Sequence, residues 1–329
     1  MTVPSYQQLS RRTDQPRGSS WGVFGAEDEL GTINFLTPDR VVAASRLVSR
    51  GVTFNLDVPL GSFDPPVLKQ RTAPEHTIFP TAGGRDDKLD GFFLQGATQI
   101  DGLRHQRHWA HGFYNGTPDA AVDIGDPRLG VNRWADHGIV GRGVLIDFPR
   151  YFQAIGTTYD PMSNTPLSPG DFDAAARSQG VSFEPGDIVL FRTGWLTGAL
   201  AQSDDERIAL HTRLDNPGLA QSEKMVEWLW DRNVSLIAAD NVTVEVFPPL
   251  RSSPFWSEEE RTGGNRTLVT GMLHRIVIPL LGLALGELWY LDALAEDCAK
   301  DGVWEFMLVA KPLNLTGGCG TPANATAIK

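Results

Sequence analysis

Pro185-Gly186-Asp187-Ile188-Val189-Leu190-Phe191-Arg192-Thr193-Gly194-Trp195 carries the clearest local structure in this 329-residue chain. Pro-Gly-Asp is a turn, Ile188 to Arg192 reads as a strand, and Thr193-Gly194-Trp195 closes it. Working outward, Ser222 to Arg232 reads as a helix whose inner face is Met225, Val226, Leu229 and Trp230. Ser235 to Asp240 follows as a strand ending in an acid. Further on, Leu291 to Lys300 reads as a helix and Val303 to Val309 as an alternating strand. Upstream, Gly143 to Asp147 is a short apolar run between a glycine and an acid, hence a buried strand. Thr37-Pro38 opens a capped amphipathic helix that Gly51 closes. The stretch from Phe54 to Pro118 is turn-rich with little helical pattern. Strands and helices mix without a regular βαβ rhythm, which points to one α/β domain with a mixed sheet. No G-x-G-x-x-G follows a strand and no G-x-x-x-x-G-K-[ST] occurs, so no nucleotide cofactor is expected.

Composition narrows the function classes. There are 29 Lys and Arg against 40 Asp and Glu, a formal net charge of −11. That balance argues against a nucleic-acid partner, which calls for a basic surplus or stripe. Hydrophobic residues make up 41% and charged residues 21%, a globular rather than disordered composition. The 34 glycines and 22 prolines imply many turns and long ordered loops, where sites tend to sit. Cys298 and Cys319 are the only cysteines, with no thiolate zinc spacing and no disulfide framework. Met1 to Arg12 lacks the pattern of a signal peptide, and the apolar stretch Ile276 to Leu285 is too short to span a bilayer. The expectation is a cytoplasmic protein with no membrane partner.

Polar chemistry concentrates in Phe92-Phe93-Leu94-Gln95-Gly96-Ala97-Thr98-Gln99-Ile100-Asp101-Gly102-Leu103-Arg104-His105. Extended backbone puts Gln99 and Asp101 on one face, and Gly96, Ala97 and Gly102 let the chain approach a ligand closely. From chemistry alone, a strand and loop with surface polar groups accounts for the segment equally well. The segment resembles the motif H-x-G-T-H-x-D-x-x-x-H of the cyclase family, which includes bacterial kynurenine formamidases and isatin hydrolase-like enzymes. Aligned on the acid, the family's two metal-binding histidines fall at Gln95 and Gln99, its shared acidic ligand at Asp101 and its catalytic histidine at His105. Gly186 to Trp195 is similar to the family's G-D-x-x-L-x-R-T-G-W strand. Leu273-His274-Arg275 and Glu287 resemble its later histidine and glutamate ligands. The resemblance runs from about Trp21 to Gly317-Gly318-Cys319-Gly320.

It implies a swivelling β/β/α-type single domain over residues 1–329, a twisted mixed sheet flanked by helices, with residues 1–36 as an N-terminal arm. It also implies a homo-oligomer. With both histidines replaced by carboxamides, which are weak neutral ligands, a two-metal centre is not expected. Asp101, His274 and Glu287 remain, enough for one divalent metal, zinc or manganese, with an open position. Gln95 and Gln99 then become donors to a substrate carbonyl.

His105 is the candidate acid and base, oriented by Asp101, while His108 and His111 read as solvated loop histidines. His76, Trp21, Phe92 and Tyr114 complete the candidate pocket and suit a planar small-molecule substrate. The leading expectation is a hydrolase of an amide, lactone or cyclic imide. A metal-free lyase or cyclase working through His105 and Glu287, and a non-catalytic small-molecule binding protein, stay open beside it.

Overall fold

The computed structural model describes residues 3–264 and 266–329. A nine-stranded mixed sheet forms its centre, with strands β1 (Thr53–Asn55), β2 (Gln99–Asp101), β3 (Ile139–Asp147), β4 (Ile188–Arg192), β5 (Leu236–Ala239), β6 (Ala284–Glu287), β7 (Glu305–Ala310), β8 (Gly320–Pro322) and β9 (Ala325–Ile328). Their spatial order is β1-β9-β7-β3-β4-β5-β6-β2-β8. The middle strands β3, β4, β5 and β6 are parallel, and antiparallel pairs extend the sheet on both sides. β4 and β5 are buried almost throughout, as apolar runs covered on both faces should be. The helix Pro38–Ser45 packs on β3 and β7, and the helices Pro169–Gln179 and Glu223–Asp231 pack on each other beside β3. The helix Glu223–Asp231 starts where Ser222 accepts a hydrogen bond from the Met225 N–H, and it buries Met225, Val226, Leu229 and Trp230.

The sheet curls strongly. β8 pairs with β2 at one end of the order, while β9 pairs with β1 and β7 at the other. Only residues 323 and 324 separate these two strands in the chain. The two ends are joined by the Val58 N–H donating to Thr98 Oγ1 at 2.9 Å, while the Leu56 N–H continues the β1–β9 ladder to the Ala325 carbonyl at 3.0 Å. The N-terminal segment lies against this body. The Tyr6 N–H donates to the Asp231 carboxylate at 2.6 Å, Thr32 Oγ1 to the Ser235 carbonyl at 2.7 Å, and the Trp21 indole to the Pro279 carbonyl at 2.8 Å. Among the described residues no helix is long and apolar enough to cross a membrane.

Two elements differ from the reading of the sequence. β3 begins at Ile139 rather than Gly143. Gly141 and Gly143 look like breakers, yet each lies where neighbours press on the strand. A Cβ on Gly141 would stand 2.7 Å from Leu36, and one on Gly143 would stand 2.3 Å from the Phe306 ring. These glycines are demanded by packing and do not end the strand. The helix that follows Thr37 ends at Ser45. Beyond it Leu47 and Val48 donate to carbonyls three residues back, so the apolar pattern continues in turns and not in helix.

Gly286 lets β6 fit between its neighbours. A Cβ there would lie 2.5 Å from Ala238 Cβ and 2.5 Å from Trp289 Nε1, and that indole donates to the Gln99 carbonyl at 3.0 Å. Gly286→Ala is therefore expected to overpack the joint between β5 and β6 and lower unfolding free energy by about 1–3 kcal/mol. Urea denaturation checks this, and an unchanged midpoint would show that the joint yields without cost.

Candidate active site

The sheet register brings the site together. In the antiparallel pair of β2 and β6, Gln99 faces Glu287 directly, and Asp101 lies two residues along on the same face as Gln99. His274 opens the helix His274–Leu281. The N–H groups of Leu273 and His274 both donate to the Glu245 carboxylate, at 2.7 and 3.0 Å. An acid at a helix N-terminus is stabilised by those unpaired N–H groups. Glu245 also takes the His274 Nδ1 at 2.5 Å and a hydrogen bond from the Gln221 amide at 2.7 Å. His274 Nε2 is thereby aimed at Glu287 Oε1, 3.2 Å away, and Asp101 Oδ2, 3.5 Å away. Gln95 sits on Asp101 and His105 together. Its Nε2 donates to Asp101 Oδ1 and, at 2.8 Å, to His105 Nδ1. The Gln99 amide donates to Glu287 Oε2.

Three buried acids around one buried imidazole set the electrostatics. Burial disfavours the charged form of His274, but its bonds to Asp101, Glu245 and Glu287 outweigh this and hold it well above the ordinary imidazole value. Burial also opposes the Asp101 carboxylate, yet His105 and His274 beside it keep it below the usual range. For Glu287, burial and then the Asp101 charge push the carboxyl up to about 7. Burial lowers His105 against the pull of Asp101, so the ring is neutral at neutral pH. Because the Gln95 N–H groups are claimed by Asp101 and His105 Nδ1, the resting His105 proton sits on Nε2.

Gln99, His105, His274 and Glu287 line a cavity of about 440 Å³. Its remaining wall is largely aliphatic, including Leu68, Leu214, Val242, Val269 and Met272, with Phe247 as its aromatic member. The aromatic residues expected from the sequence are not brought there. The Tyr114 ring is buried in the core with its hydroxyl donating to Asp28 at 3.0 Å. Trp21 is held by Pro279 and packs edge-on to His111. Phe92 lines a separate cleft with Phe63 and Phe93. His76 lies on an exposed hairpin, Glu75–Pro80 with Arg85–Asp90, where it pairs with Asp87 at 2.7 Å. Composition does not distinguish an aromatic that fills the core from one that lines a pocket. His108 is likewise not solvated. It is buried, stacked between Trp109 and His111, and depressed to about 3 by burial and its charged neighbours. His111 is exposed, as expected.

Glu245 was not anticipated. Its signal in the sequence was an acid in the middle of the branched run Val242-Thr243-Val244-Glu245-Val246, where an unpaired carboxylate would be costly. The residues present fit one cation. One ligand atom from each of Asp101, His274 and Glu287 lies within 4.8 Å of the others. Buried Asp101 Oδ2 has no hydrogen-bond partner. The Glu245 bond to Nδ1 is the outer partner that a metal-binding imidazole uses to fix its free nitrogen. At the other carboxylate oxygens, the Gln95 and Gln99 amides supply hydrogen-bond donors where a second cation would need ligands.

A family model described as a putative cyclase matches residues 52–246. A crystal structure described as a novel cyclase superposes with a TM-score of 0.79 at 31% identity, covering 94% of this chain and 99% of the other. Isatin hydrolase A from Ralstonia solanacearum gives a TM-score of 0.55 at 19% identity, covering 89% of this chain and 98% of its own. Isatin hydrolase A from Labrenzia aggregata gives 0.53 at 17% identity, covering 88% and 97%. The two hydrolases show a shared fold. No curated protein matches the sequence. The model match over most of the chain and the full-length similarity at 31% identity make this chain a member of the cyclase family.

Proposed function

We propose that this protein hydrolyses an amide, lactone or cyclic imide bond in a small planar molecule, with one divalent ion, zinc or manganese, held by Asp101, His274 and Glu287. The observation that carries the reading is the convergence of those three buried side chains within 4.8 Å of one another, with His274, Glu287 and the partly exposed His105 lining one cavity. The fold shared with the isatin hydrolases supports hydrolysis as the reaction class. When bound, the ion supplies a nucleophile and Lewis acidity at neutral pH.

The protein's own part is positioning and proton movement. The aliphatic wall excludes water and holds the substrate body. Gln95 turns its amide from His105 to the substrate carbonyl oxygen, which stabilises developing negative charge and frees Nδ1 to take a proton from the attacking water. His105 then passes that proton to the leaving nitrogen or oxygen. Asp101, 3.8 Å from Nε2, stabilises the imidazolium formed in between. A second reading is favoured by the glutamine bonds to Asp101 and Glu287 and by a Glu287 carboxyl pushed up to about 7. In it the protein is a metal-free lyase or cyclase with Glu287 and His105 as its acid and base.

Metal content separates the two. Elemental analysis of protein purified without chelator is expected to give one divalent ion per chain; none would favour the metal-free reading, and two tightly bound ions would refute the three-ligand assignment. Because His274 is raised and Glu287 sits at about 7, both compete for protons before they can ligate. Affinity for zinc should therefore climb as pH rises from about 6 to 8, with protons released on binding. Calorimetry in buffers of different ionisation enthalpy measures that release, and a pH-independent affinity would place the ion elsewhere.

His105→Ala should lower turnover by ~10²–10⁴-fold while circular dichroism and metal content stay as in the parent. A variant with parental kcat would remove His105 from the mechanism. Gln95→His combined with Gln99→His should raise zinc or manganese occupancy while reducing native turnover by ~10²–10³-fold, the usual loss for an oxyanion donor. Greater occupancy with undiminished turnover would show that the amides do not touch the substrate.

A further inference from the structure

Arg71 lines the same cavity as His105, His274 and Glu287 and is partly buried there. Among the described residues its only hydrogen bond is a backbone one, the N–H to the Leu68 carbonyl at 3.0 Å. The chain has more acids than bases, and arginines in comparable settings are taken up by carboxylates, as Arg142 is by Asp187, Arg192 by Asp147 and Arg275 by Glu260. A guanidinium presents five donors in a planar fork that matches a carboxylate. Leaving it without an acceptor in a cavity with an aliphatic wall makes sense where the ligand brings the acceptor. Arg71 is close enough for its charge to lower both His105 and Glu287. Lys69, exposed on the same rim, adds a second positive charge.

We propose that the substrate carries a carboxylate remote from the bond that is broken, and that Arg71 binds it. The inference rests on the hydrolytic reading of this site and names its substrate class: acids with an apolar body. Charge layout sets the orientation. At the inner end Asp101, His274 and Glu287 are taken up by one another, and by the ion when it is bound, whereas at the rim Arg71 and Lys69 have no carboxylate partner among the described residues. The acid end is therefore held at the rim, and the reacting carbonyl is delivered to His105, Gln95 and Gln99.

Calorimetric titration with 4-phenylbutyrate and its uncharged analogue 4-phenylbutyramide tests this, on metal-replete protein and on protein stripped with chelator. The acid is expected to bind about tenfold or more tightly than the amide in both preparations, since bonds to charged groups are the strong ones. Arg71→Leu should erase the preference while leaving amide affinity and metal content unchanged. Arg71→Lys should restore part of it. The proposal is overturned by failure of the acid to bind, by equal affinities, by a preference that survives Arg71→Leu, or by one seen only with metal present. Binding is read without turnover, so failure here leaves the hydrolase assignment to metal content and His105→Ala.

Discussion

Three carboxylates, Asp101, Glu245 and Glu287, are buried around the single imidazole of His274. Removing even one such charge from water costs several kcal/mol unless partners repay it, so this cluster dictates what must surround it. Glu245 is repaid by two helix N-terminal N–H groups and the Gln221 amide. Asp101 is repaid by Gln95, and Glu287 by Gln99. The imidazolium supplies the one positive charge that touches all three acids. Taking away any member strands another, which is why the cluster draws its parts from five separate stretches of chain.

The curled sheet makes that convergence compatible with a well-packed interior. The parallel strands β3, β4 and β5 are apolar and carry the core, while β2 and β6 bear acids and amides on one face. Core and site thus meet at the β5–β6 joint, where Gly286 and Trp289 link the Ala238 strand to the Gln99 backbone. Asp101, Gln99 and Glu287 sit on strands and His274 at a helix start, while Gln95, Gln221 and Glu245 reach them from connecting segments. The cavity mouth likewise takes residues 67–71 and 210–214 from connecting segments.

Local order was legible where it was driven by local forces. The β4 strand and the helix after Ser222 follow from periodicity and capping, and both lie within a residue or two of the expected bounds. The juxtaposition of Asp101, His274 and Glu287 was legible through family resemblance, since their separation in sequence carries no distance information. Glu245 and Arg71 escaped notice because their partners lie in other elements, and a lone acid or arginine in a chain has no period. Gly141 and Gly143 misled for the converse reason. Their meaning depends on Leu36 and Phe306, which reach them only in the folded sheet. Trp21, Phe92 and Tyr114 fill space away from the cavity, and nothing in their spacing tells core from pocket.

β8 and β9 are joined by two residues and yet sit at opposite ends of the sheet order. The strand carrying Asp101 is flanked on its outer side by residues 320–322, more than two hundred positions further along. Contacts so distant in sequence form late and slowly. On the ribosome, β2 is therefore synthesised long before the segment that covers its edge, and until then that edge presents unpaired backbone groups. The nascent chain has a window in which the strand carrying Asp101 is an open edge. Its fate in that window depends on how quickly residues 320–322 are made and dock on it.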